Sequence, residues 1–172
     1  MKVRTNVRAG GVMLMLLVSA IGLQSFASPA IARPRVVHAV GSFSIAFDLD
    51  TIELVPRGQQ CLFYAEEVIT YTGTLEGTSE TVGPVQVRLF ATCEEATAPD
   101  AVEIPSTFSA VEHFVGTDGK AATFRDVGRT DAAGNYEGIM AVHGDLNGIL
   151  HVTSPAGSGP GGRYEGLLIL DG

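Results

Sequence analysis

Two glutamates stand where an alternating strand pattern calls for apolar residues. In Cys61-Leu62-Phe63-Tyr64-Ala65-Glu66-Glu67-Val68-Ile69-Thr70-Tyr71, Glu67 has the parity of Phe63, Ala65, Ile69 and Tyr71. In Thr107-Phe108-Ser109-Ala110-Val111-Glu112-His113-Phe114, Glu112 has the parity of Phe108, Ala110 and Phe114. A carboxyl on an inward strand face can anchor a ligand's polar end, or act as an acid or base whose pKa is raised by desolvation. The structural alternative is that each acid sits in water near a sheet end or pairs with an arginine such as Arg125. Glu112 is the candidate catalytic group. Tyr71, Tyr136 and Tyr164 each precede a glycine by two positions. On a strand that glycine shares the ring's face and leaves it room, so the ring packs inward while its hydroxyl reaches the rim. Tyr71, Tyr136, Tyr164, Glu67 and Glu112 are therefore the candidate ligand contacts.

Other chemistry is poorly supported. The four histidines, His38, His113, His143 and His151, form no HxH, HxxxH or HExxH arrangement. His143 and His151 flank a turn and are the one pair that a symmetric hairpin would bring together, and no metal site is assigned. Asp145-Leu146-Asn147-Gly148 lacks the later acidic ligands of a calcium loop, and its Asn-Gly step marks a hairpin turn. There is no GxSxG elbow, and the glycine-rich Ser158-Gly159-Pro160-Gly161-Gly162 has neither the lysine nor the helix of a phosphate loop. No cofactor is expected.

The elements that position these residues are strands. Phe43, Ile45, Phe47 and Leu49 alternate with Ser42, Ser44, Ala46 and Asp48, the period of a half-buried strand. Turn residues cluster at Pro56-Arg57-Gly58, Gly77-Thr78, Thr117-Asp118-Gly119, Ala132-Ala133-Gly134-Asn135, Gly144 to Gly148 and Ser158 to Gly162. Between them lie about eight strands, near Val37 to Leu49, Gln60 to Thr72, Val82 to Cys93, Thr107 to Val115, Ala121 to Gly128, Asn135 to His143, Ile149 to Ser154 and Arg163 to Leu170. No amphipathic helix appears after residue 32, and short strands at this spacing suggest an up-and-down barrel or a sandwich. If Cys61 faces Cys93 across an antiparallel hairpin, Glu66 faces Arg88, Tyr64 faces Phe90 and Ala65 faces Leu89, a register that also buries the apolar face.

Residues 1–32 read as an export signal. Lys2, Arg4 and Arg8 precede an apolar stretch, Gly11 to Leu23, and Ala30-Ile31-Ala32 is a small-x-small cleavage site. Cleavage is expected after Ala32, with Ser25-Phe26-Ala27 as the rival site. The apolar stretch is shorter than the ~20 residues needed to span a bilayer, so no stable membrane insertion is expected after cleavage. Residues 33–172 are then one domain. Losing the three basic residues takes the net charge from −8 to −11, which argues against nucleic acid and anionic membrane surfaces as partners. In an oxidising compartment, secreted or periplasmic, Cys61 and Cys93 are expected to form a disulfide.

Three stretches resemble a known family: Thr70-Tyr71-Thr72-Gly73-Thr74-Leu75-Glu76-Gly77, the run from Phe108 through Glu112 and Gly116 to Phe124, and Ser158 to Gly166. Together they are similar to a bacterial family of domains of unknown function, small eight-stranded barrels related in fold to plant allene oxide cyclase and, more loosely, to lipocalins and other calycin-like proteins. The resemblance covers about Gly41 to Gly166. The chain departs from it at Ala121-Ala122, where a glycine is usual, and at Pro160, which interrupts the last glycine turn. The resemblance implies an antiparallel up-and-down barrel. The expectation is an exported barrel holding a small apolar or amphipathic ligand. The alternatives are an isomerase or cyclase resembling allene oxide cyclase, and a filled-core structural or interaction module.

Overall fold

A computed structural model describes residues 34–97, 103–157 and 159–170 of the chain. The expected export signal, residues 1–32, and its cleavage point lie outside the described residues. The strands are β1 (Arg35–Arg57), β2 (Gln60–Gly73), β3 (Gly77–Thr81), β4 (Val85–Phe90), β5 (Ser106–Gly116), β6 (Ala121–Thr130), β7 (Tyr136–Gly144), β8 (Leu146–Ser154) and β9 (Gly161–Leu170). The sheet runs β1-β9-β8-β7-β6-β5-β3-β2 and closes through β1 and β2, so eight antiparallel strands form a barrel and β4 is an extra strand. Closure removes the free edges that an open sheet would expose. The only helical element among the described residues is the short turn Glu95–Thr97, and none is long and apolar enough to cross a membrane.

Strands β3 and β4 divide one edge of β2 between them. Strand β3 pairs with Val68 to Tyr71 and continues the barrel to β5, whereas β4 pairs with Cys61 to Ala65. Beyond β4, among the described residues, the wall is held by the bridge from Phe90 to Glu103, which precedes β5, and by the bond from Ile104 N to Leu89 O at 2.9 Å. The stretch Gly77-Thr78 was expected as a turn and instead opens β3; the chain reverses through Thr74 to Glu76, where Gly73 takes a φ of 103°. Strand β3 carries no apolar alternation because both of its inward residues, Ser79 and Thr81, are buried hydroxyls. Their partners, described below, explain why.

The Cys61–Cys93 disulfide is present, with Cα atoms 4.8 Å apart. The expected register is not: Cys61 pairs with Phe90, Leu62 with Leu89 and Phe63 with Arg88, and a bulge then brings Tyr64 to Gln86 and Ala65 to Val85. Strand β4 ends at Phe90, so Cys93 lies in the turn beyond it and reaches back to Cys61. A disulfide fixes a distance between two backbones, and here a returning turn satisfies it as well as a paired strand would. Arg88 consequently faces Phe63 rather than Glu66. Its guanidinium bonds Glu103 at 3.2 Å and lies 5.8 Å from the centre of the Phe47 ring.

One half of the barrel is packed solid. Phe114 and Phe124 stack with ring centres 4.8 Å apart, and Tyr71 stands edge-on to both at 5.7 and 5.5 Å. Val142, Leu146, Leu150, Leu168 and the turn residue Leu75 fill the remaining space, each nearly inaccessible to water. Each large apolar side chain buried this way contributes about 1.5–3 kcal/mol of transfer free energy. This half anchors the strands whose other ends build the site.

Candidate functional site

The opposite half is hollow. A cavity of about 340 Å³ lies between Phe43, Ile45 and Phe47 of β1, Glu67 of β2, Phe108 and Glu112 of β5, Asp126 of β6, Tyr136 and Met140 of β7, and Val152 of β8. Arg88 and Glu103, paired with each other, stand at its margin. The hollow follows from the inward residues at this end of the strands. Where the packed half has Phe114, Phe124, Val142 and Leu168, this half has carboxyls, hydroxyls and glycines: Glu67, Thr81, Glu112, Asp126, Gly128, Gly138 and Gly162.

Three carboxyls are buried here: Glu67 at 3% exposure, Glu112 at 3% and Asp126 at 5%. Glu112 is the best supported. Its Oε2 accepts hydrogen bonds from the Ser79 hydroxyl at 2.6 Å and the Tyr71 hydroxyl at 3.0 Å. Burial raises its pKa, and these two donors recover part of the shift by favouring the charged form. Asp126 accepts from the Tyr136 hydroxyl through Oδ2 at 2.9 Å, while Oδ1, equally buried, has no hydrogen-bond partner. Burial, partly offset by Tyr136, pushes its pKa up to about 7.

Glu67 is the least compensated of the three. Its backbone N–H donates to the Thr81 hydroxyl at 2.9 Å, while its carboxyl opens onto the cavity and receives no hydrogen bond from a described residue. Burial first, then the charges of Glu112 and Asp126, push its pKa up to about 8. Near neutral pH this group therefore keeps a proton where an exposed glutamate has lost it. Tyr71 and Tyr136 move the other way in function: burial and the neighbouring carboxyls raise both phenols well above their ordinary value, so they remain hydrogen-bond donors at any physiological pH.

Glycine geometry holds Tyr136 in place. A Cβ on Gly138 would lie 2.4 Å from the Tyr136 hydroxyl oxygen, and one on Gly128, across the β6–β7 ladder, would lie 2.5 Å from it. The ring lies over both glycines, with Phe108 edge-on at 5.8 Å. Here the Tyr-x-Gly spacing does what the sequence suggests, because the glycine two residues on is the one the ring covers.

Four of the five candidate ligand contacts, Glu67, Tyr71, Glu112 and Tyr136, line the cavity. The fifth, Tyr164, belongs to the packed core, with its ring over Gly41 and its hydroxyl accepting from Leu75 N at 2.8 Å and donating to Thr72 O at 3.0 Å. Arg125 is exposed on the outer face and pairs with neither acid. His143 and His151 do not meet: His143 is paired across to Thr123, and His151 Nε2 lies 3.2 Å from Glu137 Oε1. No three acidic, histidine or cysteine side chains converge on a metal position among the described residues.

Asp126 is the member of the site that sequence reasoning missed. The signal was present, since Ala122, Phe124, Asp126 and Gly128 share one parity, the same test that identified Glu67 and Glu112. The flanking Arg125 and Arg129 make the segment read as a polar outer stretch instead. Chemically, the cavity offers an apolar wall with two donor-held carboxyls and one free one, and two of these three carboxyls titrate close to neutral pH. No protein-family model matches the chain and no curated protein is similar to it, so the site is argued from its own geometry.

Proposed function

We propose that this protein is an exported β-barrel that holds a small amphipathic molecule in the open half of the barrel, with Glu67, Glu112, Asp126 and Tyr136 contacting its polar end. The observation that carries the reading is the cavity itself: about 340 Å³ of space with an apolar wall and a few convergent polar groups, in a barrel whose other half is packed. Small-molecule sites commonly have this composition, with volumes from about 300 Å³ upward. A filled-core module is less well supported, because an unoccupied hollow lined by buried carboxyls costs stability that a structural protein has no reason to forgo. Export is supported by the basic, apolar and small-residue order of residues 1–32, by the acidic remainder and by the disulfide.

A second reading has its own support. Carboxyls with pKa values near 7 and 8 are poised to give and take protons at neutral pH, as an isomerase or cyclase requires. The likeness to allene oxide cyclase barrels implies such a role for an inward acid; those values belong to Glu67 and Asp126, while Glu112, raised by burial and oriented by Tyr71 and Ser79, is the candidate catalytic group.

The test is binding of a neutral apolar dye, Nile red, together with native mass spectrometry of protein purified from its own source. Dye fluorescence should rise on binding and fall in a Val152→Trp variant that fills the hollow, and a small molecule should be retained in the native spectrum. Absence of both dye binding and a retained molecule would overturn the reading. With a retained molecule in hand, Glu112→Gln separates the roles, abolishing turnover if Glu112 is catalytic and altering affinity alone if it anchors.

A further inference from the structure

We infer that the polar end of the occupant is a protonated amine, seated among Glu67, Glu112 and Asp126, with its apolar body against the aromatic wall of the cavity. This rests on the reading of the hollow as a ligand site.

The donor and acceptor pattern selects the charge. Tyr71, Ser79 and Tyr136 all spend their hydroxyl protons on the site's own carboxyls, so Glu112 and Asp126 are held as acceptors. Both bonds to Glu112 end on Oε2, leaving Oε1 without a donor among the described residues. The Glu67 carboxyl opens onto the cavity, its residue is only 3% exposed, and no hydrogen bond from a described residue reaches it, while Asp126 Oδ1 is fully buried with no partner among the described residues. Without a counter-charge the Glu67 carboxyl holds its proton near neutral pH, because ionising it unpaired in this position is costly. An anionic ligand would find a single free donor, the proton that Glu67 holds near neutral pH, and would otherwise face the acceptor oxygens of Glu112 and Asp126. An ammonium brings up to three donors and neutralises a carboxylate largely shielded from bulk water, where charge-assisted bonds are strong.

The wall fits the same ligand. Phe43, Phe47 and Phe108 present ring surface to the hollow, which suits an apolar body and attracts a cation by its π-face. Among the described residues the one cation at the margin is Arg88, which is already taken up by Glu103 and Phe47. A bare metal ion is a poor candidate because no three acidic, histidine or cysteine side chains among the described residues are grouped to hold one, whereas an ammonium needs only one of the carboxyls as its close partner. The occupant is therefore an organic amine with a compact, preferably aromatic, body.

Protonation is linked to this binding. The titratable and charged groups that line the cavity are Glu67 and Tyr71 from β2, Arg88 from β4 with its partner Glu103, Glu112 from β5, Asp126 from β6 and Tyr136 from β7. The two phenols stay protonated, so the groups that can respond are the carboxyls. A cation arriving beside Glu67 lowers its pKa, and the proton it held near neutral pH leaves for solvent.

The experiment compares three matched probes by isothermal titration calorimetry at pH 7: 3-phenylpropylamine, 3-phenylpropanol and 3-phenylpropanoate. The amine should bind about ten- to a hundredfold more tightly than the alcohol, and the carboxylate more weakly than either. Repeating the amine titration in two buffers of different ionisation enthalpy should reveal net proton release, absent for the alcohol. In Glu67→Gln and, separately, Asp126→Asn, the ratio of amine to alcohol affinity should fall toward one. Equal binding of amine and alcohol, or preference for the carboxylate, overturns the inference while leaving the hollow as a ligand site. Failure of all three probes to bind, with Nile red also excluded, overturns both.

Discussion

Tyr164 and Tyr136 begin the same tripeptide, Tyr-Glu-Gly, on inward faces of β9 and β7, and they serve opposite halves of the barrel. The Tyr164 hydroxyl is consumed by backbone: it accepts from Leu75 N, donates to Thr72 O, and so ties the β2–β3 turn across the packed end. The Tyr136 hydroxyl is consumed by a side chain, Asp126, in the hollow half. Both rings lie over glycine, but over different ones: Tyr164 over its cross-strand partner Gly41, Tyr136 over Gly128 and its own Gly138. The difference teaches that the motif specifies an inward ring with space beside it, and that the residue opposite decides whether the ring builds core or site. Where the partner is backbone, the bond is insensitive to pH. Where the partner is a buried carboxyl, the same phenol is linked to a titration.

The largest test of that division is pH. Glu67 titrates near 4.5 when unfolded and at about 8 in the folded barrel, so between these values the folded state holds more protons than the unfolded one. Stability must then be greatest below about pH 4.5 as far as Glu67 is concerned, and be lost as pH rises through 8. The loss is on the order of 5 kcal/mol at one pKa unit per 1.36 kcal/mol. Asp126, raised from 3.8 to about 7, contributes with the same sign over a lower window. Glu67→Gln keeps the group neutral at every pH. Urea unfolding at pH 5 and pH 9 should show the variant gaining stability at pH 9 by several kcal/mol and losing much of the parent's pH slope. A variant with the parent's slope would mean that Glu67 is solvated and that the hollow half is wet.

The next largest effect concerns the brace of the hollow end. Cys61 lies at the start of β2 at this end and Cys93 follows β4, so their bond holds the extra strand against the barrel at a place where, among the described residues, the Phe90–Glu103 bridge, the Arg88–Glu103 pair and the bond from Ile104 N to Leu89 O tie it onward. Opening a loop of 32 residues should cost about 3–4 kcal/mol in the chain-entropy account. A Cys61→Ser, Cys93→Ser double variant should therefore unfold at lower urea. Its amide hydrogens in β4 and in Cys61 to Ala65 should exchange faster, while those of β8 and β9 change only with global stability. Uniform acceleration throughout the barrel would show that the two halves unfold as one unit.

What the sequence made legible followed from period two. Alternation placed most of the strands, the inward tyrosines and the two misfit glutamates, because a one-residue slip would expose a whole apolar set. It failed at β3, where Ser79 and Thr81 replace the apolar residues that carry the signal and serve Glu112 and the Glu67 backbone instead. It failed for Asp126, masked by its charged neighbours. It also failed in the β2–β4 register, because a disulfide constrains where two backbones meet without saying whether strand or turn brings them there. The hollow was not legible at all: it depends on which inward residues stand at one level around eight strands, a property of the stagger between strands that no local pattern encodes.

The smallest effect separates the two tyrosines directly. Tyr164→Phe leaves the buried Leu75 N–H without its acceptor, which should cost about 1–3 kcal/mol at every pH from 5 to 9. Tyr136→Phe removes the donor that favours ionised Asp126, so the Asp126 pKa should rise above its value of about 7. At pH 5 Asp126 is neutral in both parent and variant, and the variant loses only one neutral hydrogen bond, about 1 kcal/mol. Above pH 7 the parent's Asp126 is ionised and stabilised by Tyr136, so the cost of Tyr136→Phe should grow with pH while that of Tyr164→Phe stays flat. Parallel urea titrations of the two variants at pH 5 and pH 9 make the comparison. If the Tyr136→Phe cost were as flat as that of Tyr164→Phe, its hydroxyl would be another structural fixture, and the hollow half would lose the link between phenol and carboxyl that distinguishes it from the packed one.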